Sequence, residues 1–368
     1  MNNQREKAII NNNQFKTLIA CITWPTVINY GSGMAARAVG RDMWISSIIS
    51  VISTMLLILI LINVSRQYPG KTIIEYGQNL LGVVFSKLLG LLLFVYFFIS
   101  ATNAAVMYIH HLTDFLLPET PFLVVTVLHV AVICYFVWQG PEVIGRVSML
   151  AFVLGLFFYI LVFLAVLPEI NTSRITPLFD SGVAPVIKTS FDIDTYIGFI
   201  PITIAMILPL VRDQKKCLRS AASGLAIGGA LFVFYFISEL MVMGPQVVAL
   251  MRISSMDFVR SIQITQYLHR FEAFMVGLWY WSILTQAGIL TYCAQESISQ
   301  TFGIKKRPAI MILIFGVLMI VLTFYMGFDR VFFLNLREHV WQYITLPIQY
   351  GIPAVFLLAL GIKKFFLS

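Results

Sequence analysis

The sequence predicts an all-α integral membrane protein of about ten transmembrane helices, arranged as two five-helix halves with the first helix of each half broken. Three observations predict it. Hydrophobic residues fill 59% of the 368 positions and charged residues only 11%, against roughly 25% charged residues in soluble domains. Apolar stretches of about 17 to 25 residues recur along the whole length, each long enough for a helix to cross ~30 Å of hydrocarbon. The first and sixth of these stretches carry matching clusters of helix-weakening residues.

Residues 1–14 form a polar tail that ends Asn11-Asn12-Asn13-Gln14. The apolar run after it is too long and too poor in cleavage features for a signal peptide, so the first helix is expected to stay in the protein. Spans are expected at 15–36, 44–64, 87–110, 122–138, 145–167, 195–211, 218–242, 271–296, 308–327 and 343–362. They make one transmembrane domain over 1–368, with a first half at 15–167, an outer loop at 168–194 and a second half at 195–362. A second long outer loop covers 243–270. Tyr68 to Gly82 is expected to be an interfacial helix with Ile73, Ile74, Leu80 and Leu81 available to face lipid.

The net charge of +8 would suggest nucleic acid in a soluble protein; here the basic residues stand in loops between apolar spans, where they set orientation. With the N-terminus inside, Arg5, Lys7, Lys16, Arg66, Lys71, Lys87, Arg146, Arg212, Lys215, Lys216, Arg219, Lys305, Lys306, Arg307, Lys363 and Lys364 are cytoplasmic, sixteen of the 25 Lys and Arg. Both termini are therefore expected in the cytoplasm, in contact with lipid and not with nucleic acid. Cys21, Cys134, Cys217 and Cys293 are scattered singly, which supports neither a disulfide framework nor a zinc site. No nucleophile elbow, phosphate loop or metal-ligand spacing is present, so neither an enzyme nor a cofactor is expected.

Span one contains Trp24-Pro25-Thr26 and then Tyr30-Gly31-Ser32-Gly33; span six contains Gly198-Phe199-Ile200-Pro201 and later Pro209. Unwound backbone is tolerated at membrane depth only where protein, water or ligand satisfies its N–H and C=O groups, so paired breaks imply a polar cavity. The half-helix that begins near Gly31 turns its N–H groups toward that cavity, a place for a ligand carboxylate, and freed carbonyls suit an ammonium group. Thr26, Tyr30, Gly31, Ser32 and Gly33 in span one and Gly198, Phe199 and Ile200 in span six are the candidate ligand-binding residues there. Ser100 and Asn103 in span three and Thr285 and Gln286 in span eight add polar side chains at similar depth. The bland alternatives are helix packing for the glycines and interhelical hydrogen bonds for the polar residues. Phe199, Trp279 and Tyr280 would wall such a pocket or simply pack. No Asp, Glu or Lys is expected in the middle of a span, which counts mildly against proton-driven transport. His110 and His111 are expected at the membrane interface.

Several stretches carry a family resemblance: Gly31-Ser32-Gly33 with Arg37, Gly40-Arg41-Asp42-Met43-Trp44-Ile45, Tyr68-Pro69-Gly70-Lys71-Thr72-Ile73-Ile74-Glu75-Tyr76, Leu116-Leu117-Pro118-Glu119-Thr120-Pro121, Glu142-Val143-Ile144-Gly145-Arg146 and Arg260 through Glu272. The chain resembles, from about Thr17 to Lys364, the B subunits of spore germinant receptors, a permease family within the amino acid, polyamine and organocation superfamily. It departs from that pattern at Ala36, where relatives often have Pro, and at Ile200-Pro201, where relatives often have an acid. The resemblance implies a leucine-transporter-like fold, residence in the inner membrane of the spore, and recognition of a small germinant, commonly an amino acid. It also implies partner A and C subunits. The alternative it leaves open is an amino acid permease, a secondary transporter of the same superfamily.

Overall fold

The computed structural model describes residues 9–28, 31–251, 254–261, 271–304 and 309–367. Among them the chain is helical, and its single β-type contact is an isolated bridge between Ile10 and Val211. Span one is split: α1 (Asn12–Thr23) passes into a 3-10 turn at Trp24–Ile28, and helix resumes as α2 (Gly31–Val39). Pro25 has no N–H to offer the Cys21 carbonyl, and the Thr26 hydroxyl takes up the Thr23 carbonyl. Trp24, fully buried, braces the break from the side: its ring meets Tyr159 edge-on at 5.2 Å.

Chain order then gives α3 (Met43–Ser65), α4 (Ile73–Leu81), α5 (Val83–His111), α6 (Phe122–Gln139) and α7 (Pro141–Val166). The Tyr68–Gly82 segment differs from expectation in what it faces. α4 begins with a capping box, Thr72 and Glu75 each satisfying the other's backbone N–H, yet Ile73, Ile74 and Tyr76 are buried. Tyr76 meets Phe356 of the last helix at 5.1 Å, and the Thr72 hydroxyl bonds Gln300 at 2.6 Å. Of the four residues expected to face lipid, Ile73 and Ile74 are thus spent on protein and Leu80 and Leu81 are half-buried, and α4 seals the end of the bundle nearest the N-terminus.

Span six is α8 (Val183–Ile197) and α9 (Phe199–Ile207), interrupted for one residue at Gly198. Pro201 leaves the Ile197 carbonyl without its helical partner, and Pro209 ends the span in a 3-10 turn. The two breaks are therefore unequal. α8 starts a dozen residues earlier than expected, inside the 168–194 stretch read as loop. Lys188, Asp192 and Asp194 lower its hydropathy although it is a helix packed on α3.

Beyond it come α10 (Cys217–Met243), α11 (Pro245–Leu250), α12 (Ser254–Ser261), α13 (Phe271–Phe302), α14 (Ala309–Phe328) and α15 (Arg330–Asn335). Span ten is composite: a π-helical turn at Leu336–Val340, α16 (Trp341–Leu346), a second π-helical turn at Pro347–Gly351, and α17 (Ile352–Leu367). Among the described residues, 8 helices are long and apolar enough to cross a membrane. Broken span one and the more polar α13 supply the other two expected crossings. α1 lies directly on α10, where Gly224 and Gly228 permit backbone contact: a Cβ built on Gly228 would stand 2.8 Å from the Ala20 carbonyl oxygen.

Two of the stretches that carry the family resemblance have structural jobs. Buried Asp42 accepts hydrogen bonds from the backbone N–H groups of Phe179 (2.8 Å) and Ser181 (2.9 Å) and so pins the connection from α7 to α8. Arg146 pairs with Glu142 one turn away at 2.7 Å. At the end of the bundle opposite Asp42, the Ile9 and Ile10 N–H groups bond the Leu210 carbonyl and the Arg212 N–H bonds the Ile10 carbonyl. This backbone latch joins the start of span one to the end of span six. His110 and His111, at the end of α5, are buried within the protein, their rings contacting the Gly327 and Met107 carbonyls at 2.9 and 2.6 Å.

Candidate functional site

Two neighbouring cavities lie where span six meets span ten. The inner one is walled by α5 (Tyr96, Ser100, Asn103), span six (Thr195, Tyr196, Phe199), α13 (Ile283, Gln286) and span ten (Arg337, Trp341). Its volume is about 20 Å³, room for a single water and far below the roughly 300–1,000 Å³ of an open ligand pocket. The outer one, about 370 Å³, is lined by Arg37, Lys188, Asp192, Thr195, Tyr196, Arg337 and His339 among others. It lies at the end of the bundle opposite Ile10 and α4.

Thr195, Tyr196 and Arg337 line both cavities, so they form the partition. The Arg337 guanidinium lies over the Tyr196 ring, 4.5 Å from its centre, a stacked cation–π contact in a largely water-free place. Its Nε has no hydrogen-bond partner, so a donor of fixed charge remains unspent at the partition. Below it, the buried Gln286 Oε1 also lacks a partner and is an open acceptor. Trp341 stacks parallel to Tyr96 at 6.0 Å and closes one wall. One cation above and one carbonyl below suit a small ligand with a carboxylate at one end and a donor at the other.

Of the residues expected from sequence, Ser100, Asn103, Phe199 and Gln286 meet at the inner cavity. Gly31 stands behind its partition: a Cβ there would be 3.7 Å from the Tyr196 ring. Gly33 instead packs on the chain after α11, where a Cβ would fall 2.7 Å from the Met251 carbonyl oxygen. Gly198 presses against the Gln349 amide, Ile200 and Ser32 are fully buried, and Thr26 and Thr285 bond carbonyls of their own helices. Tyr30 lies outside the described residues, as does most of Arg260–Glu272. Trp279 and Tyr280 join a separate aromatic cluster with Tyr108, 6.0 and 4.7 Å away.

Tyr96, Thr195, Tyr196, Arg337 and Trp341 were not among the sequence candidates. Each lies at or beyond an expected span end, or reads as an ordinary aromatic. The expectation that no acid is buried within a span is also overturned: Asp194 is 1% exposed and Glu239 0%. Asp194 fell one residue outside the expected sixth span; Glu239 lies near the Met243 end of α10, an end residue as expected, but buried in the protein.

The family described as spore germination protein matches residues 9–330. The chain belongs to that family. Among curated relatives, spore germination protein KB of Bacillus subtilis (strain 168) is 24% identical over 338 residues, covering 88% of each chain. Spore germination protein YndE of the same strain is 26% identical over 275 residues, covering 73% of each. Spore germination protein GerQB of Bacillus cereus is 22% identical over 298 residues, 78% of this chain and 81% of the relative. Among solved structures, a Na+-coupled sialic acid symporter in a substrate-bound outward-open state superposes with a TM-score of 0.65 at 12% identity, covering 96% of this chain and 79% of its own. MHP1, a nucleobase-cation-symport-1 family transporter captured closed, gives 0.58 at 14% identity, covering 95% and 78%. These likenesses establish the leucine-transporter-like fold. This spore germination protein is thus a multi-pass membrane protein of permease type, not an enzyme.

Proposed function

We propose that this protein is the membrane subunit of a spore germinant receptor, which binds a small nutrient, an amino acid above all, in the inner cavity and so triggers germination. The observation that carries the reading is the partition: a narrow polar cavity closed toward a basic vestibule by Tyr196 and Arg337. Arg337 receives the carboxylate and Gln286 Oε1 the ammonium group, with Ser100, Asn103 and Phe199 around the side chain. Gly31, at the start of α2, supports the partition from span one, where a Cβ would stand 3.7 Å from the Tyr196 ring. With room for one water only, the cavity has to widen to take an amino acid; a ligand that binds the widened state shifts the population toward it, and partner A and C subunits read that shift. The site lies in the inner membrane of the spore, with both termini cytoplasmic.

Deleting the gene in a spore former tests the reading. Response to one class of germinant should be abolished and responses through other receptors preserved. A second reading, an amino acid permease, is favoured by the transporter folds alongside it. The supposed lack of buried acids no longer separates the two, given Asp194 and Glu239. Gradient-dependent uptake by the purified protein in liposomes, with normal germination in the deletion strain, selects the permease.

A further inference from the structure

α8 turns two faces to different neighbours. Thr195 and Tyr196 line the cavities, whereas Asp194 reaches toward α3 and the second π-helical turn of span ten. Its carboxylate accepts hydrogen bonds from Ser50, from Ser53 (3.0 Å to Oδ1 and 2.9 Å to Oδ2) and from Tyr350. An ionised carboxylate offers about four acceptor positions, and its three partners here are neutral hydroxyls with one hydrogen each, that of Ser53 shared between the two oxygens.

No counter-charge shares the cluster among the described residues. α3 and α9 carry no ionisable side chain. On α2, Arg37 lines the vestibule, as do Arg337 and His339 of span ten and Lys188 and Asp192 on other faces of α8. Tyr343 of α16 is 73% exposed. Tyr350 is the one titratable group that faces Asp194. Next to Tyr350 in the same turn, Gln349 is 0% exposed with both amide atoms unpartnered, pressed against Gly198.

A buried carboxylate with no cationic partner either holds its charge on hydrogen bonds alone or takes up a cation. We propose that Asp194, with Ser50, Ser53 and Tyr350, is a proton-binding site set apart from the ligand cavity. The direct O–H···O contacts decide for a proton over a metal ion, which has to stand between the oxygens and push them apart. Uptake takes a proton from water and forms an O–H bond on a carboxylate oxygen, whose charge is discharged. On Oδ2 the new O–H donates to the Tyr350 oxygen, and the phenol hydrogen that had bonded Oδ2 turns away. Release reverses both changes. The site joins α8, which carries Tyr196, to span ten, which carries Arg337, so the proton alters the tie between the two sides of the partition.

Infrared difference spectroscopy of the full-length protein in lipid nanodiscs, without germinant, tests this across a pH jump. A carboxylic acid C=O band should appear as pH falls and disappear in Asp194→Asn. It should persist in Tyr350→Phe, which leaves the acid in place, and in Glu239→Gln. Should Asp194→Asn fail to fold, 13C labelling of aspartate carboxyls in the wild-type protein assigns the band: an isotope shift supports the proposal, and an unshifted band overturns it. Absence of any titrating band in the wild type overturns it too. So does a rise in Tm with NaCl, but not with choline chloride, that Asp194→Asn abolishes, because that pattern assigns the cluster to a metal cation.

Discussion

Arg337 joins two tasks, stacking on Tyr196 at 4.5 Å and keeping an unspent Nε, and the two come apart on substitution. Arg337→Lys retains the charge but loses the planar fork and the stack. The ligand concentration for half-maximal response should then rise about tenfold, equivalent to ~1.4 kcal/mol, with membrane abundance unchanged. Titrating the germination response of spores that carry the variant, alongside immunoblots for abundance, checks it. Gly31→Val and Gly33→Val make a sharper pair. At Gly33 the new Cβ runs into the Met251 carbonyl oxygen at 2.7 Å, a backbone atom that cannot step aside, so abundance should fall. At Gly31 the Cβ rests 3.7 Å from the Tyr196 ring, so abundance should hold while the dose response shifts. Equal loss of abundance in both would return Gly31 to a packing role. Ser100, Asn103, Phe199 and Gln286 were legible in sequence because polar or bulky residues stand out against apolar spans beside a break. Arg337 was not, since an arginine near a span end reads as an outer loop charge until the fold brings Tyr196 beneath it.

Helix by helix, the break in span one was readable from Trp24-Pro25-Thr26, because proline's missing N–H is a local fact that tertiary structure cannot restore. α8 was not readable as membrane helix. Lys188 and Asp192 find the vestibule and Asp194 finds three hydroxyls, partners that only the folded bundle supplies. α4 shows the reverse failure: an apolar face is evident in Ile73, Ile74 and Tyr76, but periodicity does not say whether lipid or protein covers it. The α1–α10 contact yields a prediction on this scale. Gly228→Leu forces bulk against the Ala20 carbonyl and Thr23, both 2.8 Å from a built Cβ. Folded yield in detergent should drop severely, whereas Gly361→Ala on α17, with open space around it, should leave the size-exclusion profile intact. Thr72→Ala, which removes the α4 cap and the Gln300 tie, should cost about 1 kcal/mol, read as a lower Tm of the purified protein.

For the molecule as a whole, orientation follows from where its cations stand. Lys215 and Lys216 lie at the end of the bundle that holds the Ile10–Val211 bridge and α4, while the Asn171–Arg174 turn lies at the end that holds the vestibule. Lys215→Cys should resist an impermeant thiol reagent in intact cells and Ser173→Cys should react. Outside labelling at 215 would reverse the topology, turning the vestibule to face the cytoplasm. The ten crossings were legible because hydrocarbon thickness is a blunt ruler. How the spans nest was not, because helices in lipid are sorted by small-residue contacts such as Gly224 and Gly228, whose partners lie some 200 residues away in sequence.

Three cations to one carboxylate line the vestibule, and such a field reaches only as far as its surroundings let it: about 8 Å in 0.15 M electrolyte and about 3 Å in 1 M. If the chain is the germinant receptor proposed above, a nutrient anion nearing the vestibule is guided in fresh water and unguided in brine. Half-maximal nutrient concentration should therefore climb with NaCl but not with sucrose of equal osmolality, and Lys188→Gln should flatten the climb. Salinity would then enter the decision to wake as a discount on every meal the spore detects.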